Sequence, residues 1–267
     1  MTSFISWWTS AVVFGTVIMF GALGEILTEK TGHLNLGVPG MVFLGAFAGF
    51  VTSFLIENKT SNPVLLILIP LIAAFAAGAL GGAVYSFFTV TLKANQNVTG
   101  LALTYMGVGI GSFGGQYVLL AAGYKSYARA GATSALYSKS IAKLAGLSDP
   151  FSKMFLSYGF LIYLAIIIAV IMYFVLKKTR VGLNLRSVGE SPATADAAGI
   201  NVTKYKYLAT IIGGGISGLG GLCYVLIYCQ GGWMTNNSIE ALGWLAVALD
   251  RKSTRLNSSH VRTSRMP

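Results

Sequence analysis

Runs of about 20 nearly uninterrupted apolar residues recur along this chain, each long enough to cross a bilayer as a helix. In hydrocarbon the backbone must satisfy its own hydrogen bonds, which leaves helical bundles or closed barrels. The short alternating segments of a barrel are absent, so helices remain. Composition agrees: only 10% of the residues are charged, against about 25% in soluble domains. A soluble enzyme, a nucleic-acid-binding domain and a disordered chain are thereby excluded. The chain reads as all-α, a polytopic transmembrane helical bundle.

The first run, residues 4–24, carries Trp7 and Trp8 near its start, where amphipathic rings suit the membrane interface. No Lys or Arg precedes it and no small-residue cleavage site follows, so it reads as an uncleaved span. A polar stretch, GEILTEKTGHLNLGVPG (24–40), then runs straight into apolar sequence ending at Ile56. Gly32, Gly37, Pro39 and Gly40 disfavour a continuous helix, so the second span is expected to be broken. Further runs cover 63–92, 98–122, 155–176 and 207–228, and a seventh starts near Ile239. GVGIGSFGGQ and GGGISGLGGL supply small residues that let helix backbones approach closely. Neither follows a strand, so neither reads as a dinucleotide loop.

Lys and Arg total 19 against 8 acids, but Arg251, Lys252, Arg255, Arg262 and Arg265 all lie beyond Asp250. The remaining excess suits loops at an anionic inner leaflet and implies no nucleic acid. DRKSTRLNSSHVRTSRMP interrupts the seventh run in mid-span and resembles translated sequencing-adapter read-through. Residues 1–249 are therefore expected to be a transmembrane domain truncated in the seventh span, and 250–267 a non-native tail. Placing the structured loop 177–206 in the cytoplasm puts the amino terminus outside, with cations nearly balanced between the two sides.

No catalytic constellation is present. His33 and His260 are the only histidines, no carboxylate pair sits within a span, and the dipeptide Gly-Lys never occurs. There is thus no phosphate-cradling loop, and ATP chemistry would have to come from a partner; no metal or cofactor is implied. In GESPATADAAGI, Ser191 and Pro192 can open a short helix, and Gly199 can close it with a left-handed cap. Such a helix suits docking into another protein's groove, or simply joins two spans. Glu25 and Glu29 lie close enough to the end of the first run to be solvated. Asn35, Gln96, Asn97 and Gln116 are neutral polar groups that can meet a cargo or act as interhelical glue.

LGEILTEKTGHLNLGVPGM and GLNLRSVGESPATADAAGINVTKYKYLATIIGGGISGLGG resemble the two signature regions of ABC-transporter inner-membrane permeases of the branched-chain amino acid, ribose and nucleoside class. The form G-x-LNLG-x-x-GM is most similar to permeases of the BmpA-dependent nucleoside (simple sugar) importers, and the match covers nearly all of residues 10–249. Pro39 stands where many members have glutamate. The resemblance implies that the segment around Gly189, Glu190, Pro192, Ala195 and Gly199 is the coupling helix that contacts an ABC ATPase, with Arg186 anchoring the loop or marking a span's edge. It places the broken stretch Gly32 to Gly40 near the translocation path, with Asn35 best placed to meet cargo. Gln96, Asn97 and Gln116 are further candidates. The implied partners are an ATPase, a second permease, an extracytoplasmic substrate-binding lipoprotein and membrane lipid, in a bacterial plasma membrane.

The reading is thus a permease subunit of an ATP-driven importer for nucleosides. The same machinery moving monosaccharides or branched-chain amino acids is the nearest alternative. An ion-coupled secondary transporter is the rival from another class, and it would need membrane-embedded ion ligands or relay acids that these runs nearly lack.

Overall fold

The computed structural model describes residues 2–124, 127–139, 155–233 and 238–249. The basic tail 250–267 lies outside the described residues, as do Lys125, Lys143 and Lys153 of the long loop. The described chain is helical, with a single isolated bridge pairing Arg129 and Gly232. Helix α1 spans Thr2–Glu29, α2 Val38–Glu57, α3 Pro63–Ser86 and α4 Gln96–Ala121. The short α5 covers Gly131–Tyr137, and α6 runs Phe160–Lys178. Then come α7 (Arg180–Glu190), α8 (Pro192–Ala197), α9 (Val202–Cys223) and α10 (Ser238–Leu249). Among the described residues, five stretches are long and apolar enough to cross a membrane: Ser6–Glu29, Val38–Glu57, Pro63–Thr91, Phe160–Lys178 and Val202–Tyr228. The chain is therefore built to pass a membrane several times. Helix α4 has the length, but with its glycines and amides it is not among these five.

Local chemistry sets the helix starts. The Asn62 side chain accepts from the Val64 N–H at the head of α3, with Pro63 in the first turn. Asn95 accepts from the Asn97 and Val98 N–H groups at the head of α4, and Asn201 from the Lys204 N–H at the head of α9. Each side-chain oxygen satisfies a donor that the first helical turn leaves orphaned. Both α3 and α9 end in one π-turn, Phe87–Thr91 and Tyr224–Tyr228.

Helix α9 is the axis of the bundle: every residue from Gly213 to Cys223 is buried. Its glycines account for that. A Cβ on Gly221 would run into the Val42 carbonyl and lie 2.6 Å from the Ala46 nitrogen, so α9 and α2 touch backbone to backbone. Gly214 meets the Gly78 carbonyl of α3 at 2.5 Å in the same sense. Small residues replace the missing hydrophobic drive between helices with close van der Waals contact. Large apolar side chains such as Leu80, Phe113 and Ile171 point outward, where lipid is the natural solvent.

Contacts sort the connections into two ends. At one, loop 30–37 meets the head of α4 and the last turn of α7, and Thr91 bonds Tyr207. At the other, Glu57 accepts from the Thr133 N–H, and residues 128–130 bond 231–233. Trp233 is wedged there among Phe43, Phe47 and Phe50.

Candidate functional site

Helix α1 continues past the apolar run to Glu29, so Glu25 lies within it, fully buried and not solvated. Its Oε1 accepts from the Asn35 N–H at 2.9 Å. A carboxylate this deep costs several kcal/mol unless it is hydrogen-bonded, and the turn of the following loop supplies that bond. Gly32, at φ +80°, is the residue that lets the chain reverse after α1.

Residues 33–37 are held from several directions. The Leu34 N–H donates to Gln96 Oε1 at 3.0 Å, and its carbonyl accepts from the Tyr85 hydroxyl at 2.6 Å. The Leu36 carbonyl accepts from the Thr104 hydroxyl at 2.8 Å. Asn35 Oδ1 accepts from the Gly37 N–H at 2.9 Å, shaping the turn into α2. Helix α4 lies flush against this loop, because a Cβ on Gly100 would sit 2.8 Å from the Leu36 nitrogen and one on Gly107 2.5 Å from the Gly40 carbonyl. His33 is buried beside Lys206; burial first, then that ammonium, lowers its pKa to about 4, so it is neutral at physiological pH.

The sequence candidates thus separate. Asn35 is 1% exposed with its amide engaged to Gly37 and Met41, so it organises the loop and does not face an open path. Gln96 is likewise tied to the loop. Asn97 and Gln116 are exposed, near opposite ends of α4, about 28 Å apart by helical rise. Gln116 shares an uncovered flank with Gly109, around whose missing Cβ no atom lies within 4 Å. Gly37 is the residue before α2, and Pro39 occupies its first turn. Pro39 is buried against Gly243 of α10, 2.7 Å from where a Cβ on that glycine would lie.

The second group sits at the same end. Thr179 caps α7, whose Gly182, Leu185 and Val188 face inward while Arg186 and Glu190 face out. Ser191 and Pro192 open α8, and Gly199, at φ +79°, follows it. The Ile200 N–H returns to the Ala195 carbonyl at 3.0 Å, a left-handed cap that satisfies the helix end. Ala195 is buried; Pro192, Ala193, Asp196 and Ala197 are exposed, leaving a small-residue knob on the surface. Gly189 turns inward, where a Cβ would run into the Lys30 carbonyl and lie 3.2 Å from the Gly32 nitrogen.

Sequence reasoning missed Tyr85 and Thr104, whose hydroxyls donate to the loop from α3 and α4; nothing distinguishes them from other polar residues of apolar runs. Glu25 carried the one available signal, an acid inside a long apolar helix. Among the described residues no three His, Cys, Asp or Glu side chains gather as a metal site.

The family of branched-chain amino acid transport system permease components matches residues 8–249. TsgC13 of Haloferax volcanii, named for a glucose ABC transporter, is 32% identical over 90% of this chain and 68% of its own length. The guanosine ABC transporter permease NupQ of Bacillus subtilis is 31% identical over 90% of this chain and 72% of its own. The nucleoside ABC transporter permease NupC of Lactococcus lactis is 28% identical over 89% and 72%. A second permease from the first and third organisms, TsgB13 and NupB, also matches, each at 26% identity over 81% and 80% of this chain and 56% and 57% of its own length. No solved structure matches the chain. The Gly32–Gly40 turn and the α7–α8 knob therefore sit in a protein that belongs to the permease-component family of branched-chain amino acid type transport systems, a transport subunit and not an enzyme.

Proposed function

We propose that this chain is the permease subunit of an ATP-driven ABC importer whose cargo is a nucleoside. The supporting observation is the exposed α8 knob, fixed by the Ile200–Ala195 bond and Gly199, in a chain similar to permeases named for guanosine and nucleoside transport. An ATPase subunit docks on Arg186, Glu190, Pro192 and the exposed face of α8. Ala195 anchors the knob from beneath, and the left-handed turn at Gly199 closes it. A second, related permease completes the path, as the paired proteins of two relatives' organisms suggest. A substrate-binding lipoprotein delivers cargo at the opposite end, and lipid surrounds the bundle.

Transport proceeds by alternating access, with the chain itself breaking no bond. Closure of the ATPase subunits on ATP moves α8, and the spans follow. The exposed amides of Asn97 and Gln116 on α4 suit a neutral, hydrogen-bonding cargo, while Asn35 and Gln96 brace the loop at the Asn97 end. A monosaccharide is the second reading, favoured by the likeness to a relative named for glucose.

The test is reconstitution of the full-length permease with its neighbouring ATPase, second permease and binding lipoprotein in proteoliposomes. Labelled guanosine is expected to accumulate only with ATP and to be blocked by unlabelled nucleosides. Accumulation of glucose or leucine that nucleosides leave untouched would overturn the cargo. Accumulation driven by an ion gradient without ATP would overturn the class.

A further inference from the structure

Two routes lead from the α8 knob into the membrane core. One is covalent: Asn201 and α9 follow α8 directly. The other is a contact. Gly189, in the last turn of α7, lies backbone to backbone against the turn that closes α1, meeting the Lys30 carbonyl and the Gly32 nitrogen. From the other side, the site of a Cβ on Gly32 is 3.1 Å from the Gly189 carbonyl. No side chain intervenes on either face, so there is nothing flexible in the seam to absorb a displacement.

Beyond the seam the chain is equally taut. Within five residues of Gly32, main-chain atoms bond Glu25 on α1, Tyr85 on α3, and Gln96 and Thr104 on α4. Gly100 brings the α4 backbone against Leu36, and α2 starts at Val38 with no slack after Gly37. The loop is therefore a shared abutment for α1, α2, α3 and α4. A shift of α7 at Gly189 reaches all of them, α4 with its exposed Gln116 included.

We propose that the Gly32–Gly189 seam, with the 33–37 loop braced by Glu25, is the relay that passes movement of the α7–α8 unit to the first four helices; this rests on the permease reading above. Gly189 and Glu25 are positioning residues in it and touch neither nucleotide nor cargo. Gly189 is half-buried and turned toward the Lys30 carbonyl, which separates it from Arg186 and Glu190, whose side chains face outward.

The experiment uses the reconstituted full-length complex and reads three quantities: ATPase retained by the permease, ATP hydrolysed with the binding protein present, and cargo accumulated per ATP. Gly189→Ala adds one methyl group in the seam, directed at the Lys30 carbonyl, and alters no exposed side chain of α7 or α8. It is expected to retain the ATPase and its hydrolysis while cargo per ATP falls about tenfold or more, within the usual range of coupling between sites. Glu25→Gln keeps the shape of the side chain and weakens its hold on the loop. It is expected to lower the same ratio with assembly intact, and it carries the test if Gly189→Ala fails to fold. Wild-type cargo per ATP in Glu25→Gln, or in a folded Gly189→Ala, would overturn the relay and leave α9 as the route. Loss of ATPase binding in step with uptake would overturn it too, since the defect would then lie in docking. The ratio is read for whichever cargo moves, so failure of the nucleoside assignment leaves the relay standing; absence of any ATP-driven uptake by the unmodified complex would fell both.

Discussion

Gly221 offers the sharpest test of how this bundle is held together. A methyl group there would overlap the Val42 carbonyl and lie 2.6 Å from the Ala46 nitrogen and 3.0 Å from the Ala46 Cβ. The two nearest are main-chain atoms and the third is a Cβ fixed to the backbone, so no rotamer change relieves the overlap and α2 and α9 must separate. Separation also loosens the Gly45–Gly218 contact one turn away. Overpacking of a tight core costs about 1–3 kcal/mol, and a clash against backbone belongs at the top of that range. Gly109→Ala is the internal control, because its Cβ meets nothing within 4 Å. There the better helix propensity of alanine is expected to gain up to about 1 kcal/mol. At roughly 2–4 °C per kcal/mol for a chain of this size, Gly221→Ala should melt about 6–12 °C lower in detergent. Gly109→Ala should hold its melting temperature or rise. If Gly221→Ala melts within about 2 °C of the unmodified protein, the backbone contact between α2 and α9 is refuted.

Other consequences follow from single side chains. His33, lowered to about 4 from an ordinary 6.5, resists protonation in the folded state while the unfolded chain takes up a proton. Stability is therefore expected to fall as pH drops from 6.5 toward 4, by up to about 3 kcal/mol, and His33→Asn should flatten that slope in pH-dependent melting. Gly199→Ala forces an alanine to φ +79°, with an expected cost of about 1–2 kcal/mol localised to α8, visible as faster amide exchange over 192–200. Tyr85→Phe removes the hydroxyl that donates to Leu34 and should cost about 1 kcal/mol, read by the same melting assay. Glu190→Lys, on the outward face of α7, should lower ATPase co-purification while leaving membrane insertion and melting temperature unchanged.

Much of the bundle was legible because each signal was local. Ser191-Pro192 and Gly199 bracket α8 without help from anything distant. The extent of α1 was misread because Glu25 and Glu29 look like a boundary, whereas the returning loop donates a hydrogen bond to Glu25 inside the bundle. Asn35 looked like a path-lining group because its residue type says polar; its partners, Gly37 and Met41, say turn.

What the sequence determined by itself was the environment and the element type. Apolar runs of bilayer length with few charges must be helices in lipid, since no other open structure satisfies the backbone there. What only the tertiary structure decided was which glycines meet and which polar groups face inward. Gly189 against Lys30, Gly221 against Val42 and Gln96 against Leu34 join residues far apart in the chain. Periodicity along one helix carries no information about the rotation or depth of its neighbour, and those fix whether an amide meets cargo, lipid or another backbone.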